Sequence, residues 1–154
     1  MVNIREIKKT DFDDAVRCIQ RSVDISNRPD YPEKIIDYQL HEHYTVEWII
    51  RTTKDKLFVV ALLNEKIVGT GALKKNEIQN MFVDPDFFHQ GIGKTIINYL
   101  EKYAKELGFK STTLSSSITA INFYEILGYT KVEDEIVEWL GEKIRSITMT
   151  KQII

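Results

Sequence analysis

The sequence predicts a mixed α/β fold in which a mostly antiparallel sheet of about seven strands is flanked by about four helices. Three apolar runs joined by short turns between residues 57 and 83 are typical of an antiparallel meander. A long amphipathic helix and another strand follow, and the helix of such a β-α-β unit packs on one face of the sheet. The full order, β-α-α-β-β-β-α-β-α-β-β, favours a mixed sheet over a doubly wound one.

The first third of the chain predicts one short strand and two helical regions. Apolar and polar residues alternate imperfectly in Val2–Lys8, as in a short strand near a sheet edge. Thr10 is a good helix cap, and apolar residues at helical spacing over 12–23 predict a helix of about three turns. Two prolines within Asp24–Pro32 predict a loop. A second helical region should run from Glu33 to about Thr53.

The middle of the chain predicts the meander and its following helix. Its three strands are Leu57–Leu63, Ile67–Lys74 and Glu77–Val83. Residues 64–66 and Lys75–Asn76 are expected to form the turns between them. The helix should begin at Gly91 and end at Gly108, because glycine is the usual residue just past a helix C-terminus.

The last third predicts a strand, a short helix and a closing pair of strands. Phe109–Ser115 is expected to be the strand that follows the long helix. Ala120–Leu127 reads as a short helix stopped by a glycine. Tyr129–Glu138 and Lys143–Lys151 should pair through a turn at Trp139–Glu142.

Length and composition favour one domain, residues 1–154, that acts on a small molecule. The formal net charge of -2 and a charged fraction of 29% lack the basic excess of a nucleic-acid binder. Cys18, the single cysteine, cannot form an intramolecular disulfide and is expected to be a small buried residue. No signal core opens the chain, and no apolar run approaches the ~20 residues that span a bilayer. We therefore expect a cytoplasmic protein without a membrane partner.

A glycine turn, Gly91-Ile92-Gly93-Lys94-Thr95, opens the long helix and invites a phosphate-binding interpretation. The backbone N–H groups of Gln90 to Lys94 should lack carbonyl partners, and the helix dipole favours an anion there. The Walker A motif fails because Phe88 stands where its first glycine belongs. The dinucleotide fingerprint fails because its third glycine falls at Ile96. Taken alone, the turn fits a phosphate site and a purely structural turn equally well.

Metal binding is not expected from the histidines of the second helical region. His41 and His43 are separated by two positions, so they point to different faces of a helix. The zinc-binding arrangement on a helix needs two histidines at i and i+4. We expect no metal, and these side chains should be solvated or line a pocket.

Two motifs in order along the chain resemble the GNAT superfamily of acyl-CoA-dependent N-acetyltransferases. The first joins the strand Glu77–Val83 to Asp84-Pro85 and to the turn at Gln90–Lys94, and the second is Ala120–Tyr129, which contains Phe-Tyr-Glu-Ile-Leu-Gly-Tyr. The resemblance covers most of the chain. It implies a sheet splayed between the fourth and fifth strands, and acetyl-CoA as the acetyl donor.

The resemblance also implies which residues hold acetyl-CoA. The family motif is (Gln/Arg)-x-x-Gly-x-(Gly/Ala), and Gly91 and Gly93 match it while Phe88 occupies the leading position. Backbone donors do not depend on that side chain. His89 and Lys94 either supply compensating charge or are solvated residues of the helix start. The implied cofactor-binding residues are Met81, Phe82, Val83, His89, Gln90, Gly91, Ile92, Gly93, Lys94, Thr95, Asn122 and Tyr124.

Catalytic roles follow from the chemistry of amine acetylation and from the same resemblance. A primary amine has a pKa of about 10.4, so a base must remove a proton, and Glu77 holds the family's position for it, acting directly or through water. A bulge near Asn80 would let the Met81 amide face the oxyanion. Tyr124 would protonate the leaving thiolate. Otherwise Glu77 is a solvated residue at a strand start, and Tyr124 merely packs near the cofactor.

The acceptor amine is expected to bind between residues 31–48 and the Trp139–Glu142 turn. Aromatic and acidic side chains there suit a cationic amine. The residues concerned are Tyr38, Glu42, Tyr44 and Glu138. The same residues would also serve as the surface of a homodimer. Two functions remain open at this point: an N-acetyltransferase working by direct attack in a ternary complex, and a catalytically weak CoA-binding or regulatory module of the same fold.

Overall fold

The computed structural model describes residues 1–154 and contains one seven-stranded sheet in the order β1-β2-β3-β4-β5-β7-β6. All neighbouring strands are antiparallel except β4 and β5, which are parallel. The strands are β1 (Asn3–Glu6), β2 (Leu57–Leu63), β3 (Lys66–Lys74), β4 (Glu77–Val83), β5 (Ser111–Ser116), β6 (Thr130–Trp139) and β7 (Glu142–Gln152). The predicted mixed, mostly antiparallel sheet is confirmed.

Five α-helices, one more than the sequence predicted, flank the sheet. They are α1 (Phe12–Arg21), α2 (Glu33–Tyr38), α3 (Val46–Thr52), α4 (Ile92–Glu106) and α5 (Ile121–Ile126). The additional helix arises because the second helical region is divided into α2 and α3 by a π-helical turn, Gln39–His43. None of the helices is both long and apolar enough to cross a bilayer.

Each face of the sheet covers its own apolar core. One core packs α4 against the sheet, and its central residues include Ile96 and Leu100. The other packs α1 and α3 against the opposite face around Ile19 and Ile49. Gly71 on β3 allows α4 to approach closely, because a Cβ there would lie 2.5 Å from a methyl carbon of Ile96. The long helix is therefore fixed against the strand next to β4.

The N-terminal predictions were only partly right. The first strand spans Asn3–Glu6 rather than Val2–Lys8. Thr10 is not the helix cap, because it lies inside a 3-10 turn, Lys9–Asp11. The carboxylate of the buried Asp11 instead accepts the N–H of Lys8 at 2.8 Å and a guanidinium N–H of Arg5 at 2.7 Å. Arg5, six residues away, thus determines how the chain enters α1, and it lowers the pKa of Asp11.

The predicted loop over residues 24–32 is largely helical. α1 continues into a π-helical turn, Ser22–Asn27, and then into a 3-10 turn, Arg28–Asp30. Pro29 lies within the first positions of that short turn, where a missing N–H costs nothing because the donor would have no helical partner. Pro29 therefore lies at the start of the 3-10 turn and does not mark a loop, as the sequence had suggested.

The bulge expected near Asn80 is present in β4. Ala72 pairs with Gln79 and Thr70 with Phe82, so two residues of β4 stand opposite one residue of β3. Asn80 has a φ of 55°, a left-handed conformation that asparagine tolerates better than most residues. The hydroxyl of Thr70, fully buried, donates to the Asn80 carbonyl at 2.8 Å and holds the bulge.

Beyond this point the sheet is split. β4 and β5 pair only at Glu77 with Thr113 and at Ile78 with Leu114. From Gln79 onward the two parallel strands are no longer bonded to each other, although β4 continues to pair with β3 as far as Val83. The predicted splay between the fourth and fifth strands is confirmed, and it opens a cleft at the carboxyl ends of both strands.

Candidate active site

The edge of β4 that faces β5 carries unused backbone groups. The N–H of Asp84 donates to the carbonyl of Val68 on β3 at 2.9 Å. Because backbone groups alternate in direction along a strand, the N–H and C=O of Val83 point the other way, toward the split. The Met81 N–H also points toward the split, because the C=O of the same peptide, that of Asn80, faces Thr70 on β3. An extended ligand with amide groups can pair with this edge as an added strand does.

The start of α4 supplies a second set of free donors beside that edge. The first helical bond runs from the N–H of Thr95 to the carbonyl of Gly91 at 3.0 Å. None of the six N–H groups from His89 to Lys94 donates to a protein acceptor. The donors predicted for Gln90 to Lys94 are therefore free, and such donors at a helix N-terminus attract an anion.

The backbone of this loop is shaped by two left-handed residues. His89 has a φ of 63° and Gly91 a φ of 77°. Alternating left- and right-handed residues turn successive N–H groups toward one concave point, which is the arrangement of an anion-binding nest. Thr95 differs from the preceding residues of this turn, because its N–H and its hydroxyl both bond to the Gly91 carbonyl. Phe88, beside this loop, is 41% exposed.

Gly93 ties α5 to the first turn of α4. A Cβ at this position would lie 2.9 Å from Cζ of Phe123, so only glycine lets the phenyl ring sit against the helix start. Phe123 in turn contacts Tyr124 edge to face, with ring centroids 5.1 Å apart. The second glycine of the turn therefore helps to position the tyrosine assigned as the acid. Asn122 is exposed on the same short helix.

Tyr124 and Tyr129 lie next to each other, with ring centroids 5.9 Å apart, but their hydroxyls differ. The hydroxyl of Tyr129 bonds to Glu101 at 2.7 Å and to Thr112 at 2.8 Å. The hydroxyl of Tyr124 has no hydrogen-bond partner in the protein, although the residue is only 5% exposed. Burial raises the pKa of Tyr124, so the phenol keeps its proton at neutral pH and can act as a donor.

Glu77 is half-buried at the first position of β4, on the sheet face covered by α1 and α3. Its Oε1 accepts a hydrogen bond from Nε2 of Gln79. Phe82 packs into the core on that same face, whereas Met81 and Val83 pack toward α4. The carboxylate therefore lies on one face of β4, and the free backbone edge of the strand separates it from the α4 face.

An aromatic cluster covers the α1–α3 face near the cleft. Tyr44 contacts Phe82 edge to face, with ring centroids 5.4 Å apart, and burial raises the pKa of Tyr44 to about 12. The ring of His43 lies among those of Tyr38, Tyr44 and Trp48, and burial lowers the pKa of His43. Of the residues predicted to line an acceptor pocket, Tyr38 and Tyr44 thus belong to one cluster.

The two acidic residues predicted for that pocket are placed differently. Trp139 at the end of β6 contacts Tyr38 with ring centroids 5.7 Å apart, so it faces α2. Glu138 precedes Trp139 in the strand and therefore points to the opposite face of the sheet. Glu42 is exposed on the π-helical turn. The prediction that Glu138 lines this side of the cleft is wrong, because it ignored the alternation of β6.

A bridge across the end of the cleft was not predicted. The hydroxyl of Tyr31, before α2, accepts the N–H of Ile118 at 3.1 Å, and the hydroxyl of Thr119 donates to Asp30. Ile118 and Thr119 follow β5, at the edge where the split opens. The partners are more than 85 residues apart in sequence, and the only sequence signal was Tyr31 between two prolines.

The cleft thus combines a free strand edge, an anion nest and a buried phenol without a partner. A family model described as an acetyltransferase (GNAT) domain matches residues 28–153. The chain belongs to the GNAT acetyltransferase family. Membership confirms the resemblance drawn from the two motifs, and it confirms the expectation of an acyltransferase at the level of the family.

Relatives by sequence support the same family. An uncharacterized N-acetyltransferase of Methanocaldococcus jannaschii is 31% identical over 152 residues, which cover 89% of this chain and 64% of that protein. The chain therefore spans just under two thirds of that relative. A spermidine N(1)-acetyltransferase of Thermoplasma acidophilum is 25% identical over 146 residues, covering 86% of this chain and 90% of the relative.

Solved structures agree with the fold. A GCN5-related N-acetyltransferase from Rhodopseudomonas palustris has a TM-score of 0.90 at 25% identity, covering 97% of this chain and 94% of that one. The PaiA N-acetyltransferase of Thermoplasma acidophilum, solved in complex with coenzyme A, has a TM-score of 0.78 at 22% identity and covers 99% of both chains.

Proposed function

We propose that this chain transfers an acetyl group from acetyl-CoA to a primary amine by direct attack in a ternary complex. The observation that carries the proposal is the continuity of the free β4 edge with the six unpaired N–H groups at the start of α4. The edge suits an arm that contains amides, and the nest suits a pyrophosphate. Acetyl-CoA has both in one molecule. The coenzyme A complex of the PaiA relative supports this choice of donor.

The donor is held mainly by backbone groups in this proposal. The pyrophosphate receives N–H groups from Gln90 to Lys94, and the pantetheine arm pairs with Val83. The Met81 N–H then points at the thioester carbonyl and stabilises the negative charge that develops there. Lys94 adds positive charge near the phosphates, and the imidazole of His89 can donate a hydrogen bond there. Phe88 supplies no such contact, so the phosphates depend on the backbone.

Proton transfer is assigned to two side chains. Glu77 removes the proton from the acceptor ammonium, directly or through a water molecule, because only the free amine attacks a thioester. Glu77 passes that proton to solvent. The amine nitrogen then bonds to the carbonyl carbon and gives its remaining extra proton to Glu77, and the carbon–sulfur bond breaks. Tyr124 donates its proton to the departing sulfur and regains one from solvent. Its burial and its lack of a hydrogen-bond partner leave that proton available.

The acceptor approaches from the face covered by α1 and α3, where Glu77 and the aromatic cluster lie. Aromatic faces attract cations, so an amine that carries a further positive charge fits this side. The spermidine acetyltransferase among the relatives is one reason to include polyamines among the acceptors tested.

The direct test is the release of free thiol from acetyl-CoA with a panel of polyamines, amino acids, aminoglycosides and peptides. We expect at least one primary amine to be acetylated, with the product confirmed by mass. Glu77→Gln should lower kcat by about 100-fold or more, since a positioned base contributes roughly that much. A chain that binds acetyl-CoA but acetylates no member of the panel would contradict the proposal.

That negative outcome would favour a second function, a CoA-binding or regulatory module that has kept the fold. The exposed Phe88 at the leading motif position is the observation that keeps this alternative in view. Calorimetric titration with acetyl-CoA and with coenzyme A separates the two functions. The module should bind both without turnover, whereas the enzyme should also turn acetyl-CoA over.

A further inference from the structure

Glu77 is the end of a chain of hydrogen bonds on its face of the sheet. Nζ of Lys56, which lies just before β2, donates to Oε1 of Gln79 at 2.6 Å. Nε2 of Gln79 then donates to Oε1 of Glu77. All three residues are half-buried, and burial lowers the pKa of Lys56. The other carboxylate oxygen of Glu77 has no protein partner.

The direction of this chain is fixed by chemistry. An ammonium group has only donors, so Gln79 must present its carbonyl oxygen to Lys56. Its amide nitrogen must then face Glu77, where an ionised carboxylate is an acceptor. A neutral amide that could otherwise rotate by half a turn is held in one orientation by the lysine. The partly desolvated charge of Lys56 also polarises the amide toward Glu77.

The other charged groups beside this chain are committed elsewhere. Lys74 stands opposite Glu77 on β3 and pairs with Asp55 at 3.0 Å. Both of these side chains are about half exposed or more, so solvent screens them. On the β5 side the neighbour of Glu77 is Thr113, which carries no charge. Lys56 therefore reaches Glu77 through a hydrogen-bonded path that Lys74 lacks.

We infer that Gln79 and Lys56 are positioning residues for the base: they hold one oxygen of the Glu77 carboxylate in place, so that the other oxygen is free for the acceptor amine. This inference rests on the proposed function, because it gives these residues a role only if Glu77 removes the proton. It gives a role to Gln79, which the motif resemblance leaves without one, and to Lys56, which lies outside both sequence motifs.

The test is the split between kcat and the KM for acetyl-CoA in two matched variants, Gln79→Leu and Lys56→Met. Both should lower kcat by about 10-fold, since a slightly misplaced group is a poorer base. The KM for acetyl-CoA should not change.

Two further variants separate positioning from a general effect of charge or folding. Lys74→Met, which removes the lysine opposite Glu77 on β3, should leave kcat unchanged. Lys56→Arg should retain the parent kcat, because arginine keeps the charge and a donor. In a Glu77→Gln background, Lys56→Met should produce no further loss of the residual rate.

The outcomes distinguish this inference from the proposed function. If Glu77→Gln keeps full activity, the base is misassigned and the inference fails with it. If Glu77→Gln is impaired while Lys56→Met and Gln79→Leu keep the parent kcat, only the inference fails. An equal loss of kcat in Lys74→Met would also overturn it. Should Gln79→Leu not fold, the comparison of Lys56→Met with Lys56→Arg still tests the inference.

Discussion

The two edges of β4 use their backbone groups very differently. Toward β3, pairing runs from Glu77 to Val83 and is interrupted only by the bulge. Toward β5, pairing ends at Ile78. The same residues thus belong to a closed sheet on one side and to an open cleft on the other. One strand carries both the stability of the sheet and the binding surface.

The same contrast recurs in the elements around the cleft. The hydroxyl of Tyr129 has two partners, whereas that of Tyr124 has none. The N–H of Thr95 closes the first turn of α4, whereas those from Ile92 to Lys94 are free. Free N–H groups occur at every helix start, but here they lie beside an unpaired strand edge and a phenol without a protein partner. Together, these groups along one cleft indicate a place for a ligand.

Proline substitutions on β4 test the contrast between its edges most strongly. Phe82 pairs with Thr70, so Phe82→Pro removes a donor of the ladder and should cost about 3 kcal/mol more than Phe82→Ala. Val83→Pro removes an N–H that points into the split. It should cost less than about 1 kcal/mol relative to Val83→Ala, but should raise the KM for acetyl-CoA about 10-fold.

Urea unfolding and initial-rate kinetics on the four variants measure both effects. The alanine variants are the controls for lost side-chain volume. Equal destabilisation by the two prolines would mean that the edge toward β5 is not free, and a parent-like KM for Val83→Pro would remove this edge from the donor site.

The contact between Gly93 and Phe123 allows a second test, in which crowding displaces α5. Gly93→Ala should destabilise the chain by about 2 kcal/mol, because its methyl group would come within 2.9 Å of the ring. It should also lower kcat, since α5 carries Tyr124. Phe123→Leu in the same chain should restore much of both, because it removes the crowded ring atoms. Thermal unfolding and kcat in the single and double variants check this, and additive losses would refute it.

The two tyrosines predict opposite consequences of the same substitution. Tyr129→Phe should cost about 1.5 kcal/mol, since it leaves the Thr112 hydroxyl without its partner and Glu101 with Lys151 alone, and it should change kcat little. Tyr124→Phe should leave stability within about 0.5 kcal/mol but lower kcat by about 100-fold. Denaturant unfolding and kcat on both variants decide this, and a purely structural role for Tyr124 predicts the reverse.

The pH dependence of kcat adds a check on the assignment of Tyr124 as the acid. A buried tyrosine whose pKa is raised stays protonated to higher pH than a free one. On the alkaline side, kcat should therefore stay constant up to at least about pH 10, which is the ordinary pKa of tyrosine. An alkaline loss near neutral pH that disappears in Tyr124→Phe would contradict its role as the acid.

The sequence was most informative where periodicity and turns acted together. The limits of β2 and β4 were predicted to the residue, because apolar runs ended at short turns. It was least informative in the first third, where short elements depend on distant partners. Arg5 sets the entry to α1 through Asp11, and Tyr31 bonds to Ile118. Neither contact leaves a periodic pattern.

The candidate site divides in the same way. The glycines and the Tyr124 motif located the nest and the phenol, because a glycine turn and a motif with fixed spacing can be recognised in the sequence. The hydrogen bond between Lys56 and Gln79 could not be predicted, since two polar residues 23 positions apart resemble any pair of surface residues. Glu138 was misplaced for a different reason. The alternation of side chains along β6 could be read from the sequence, but the sequence did not show which face of β6 lies against α2.

Thr70 offers the smallest and most local test, because it lies on the closed edge of β4 but supports the open one. Its hydroxyl holds the Asn80 carbonyl in the bulge, so Thr70→Val should cost about 1 kcal/mol through the lost hydrogen bond. If the bulge aims the Met81 N–H into the cleft, the same variant should lower kcat several-fold while the KM for acetyl-CoA stays within about twofold. Thr70→Ser keeps the donor and should retain kcat. A loss of stability without a loss of kcat in Thr70→Val would mean that the bulge serves the sheet alone, and that the closed edge does not govern the open one.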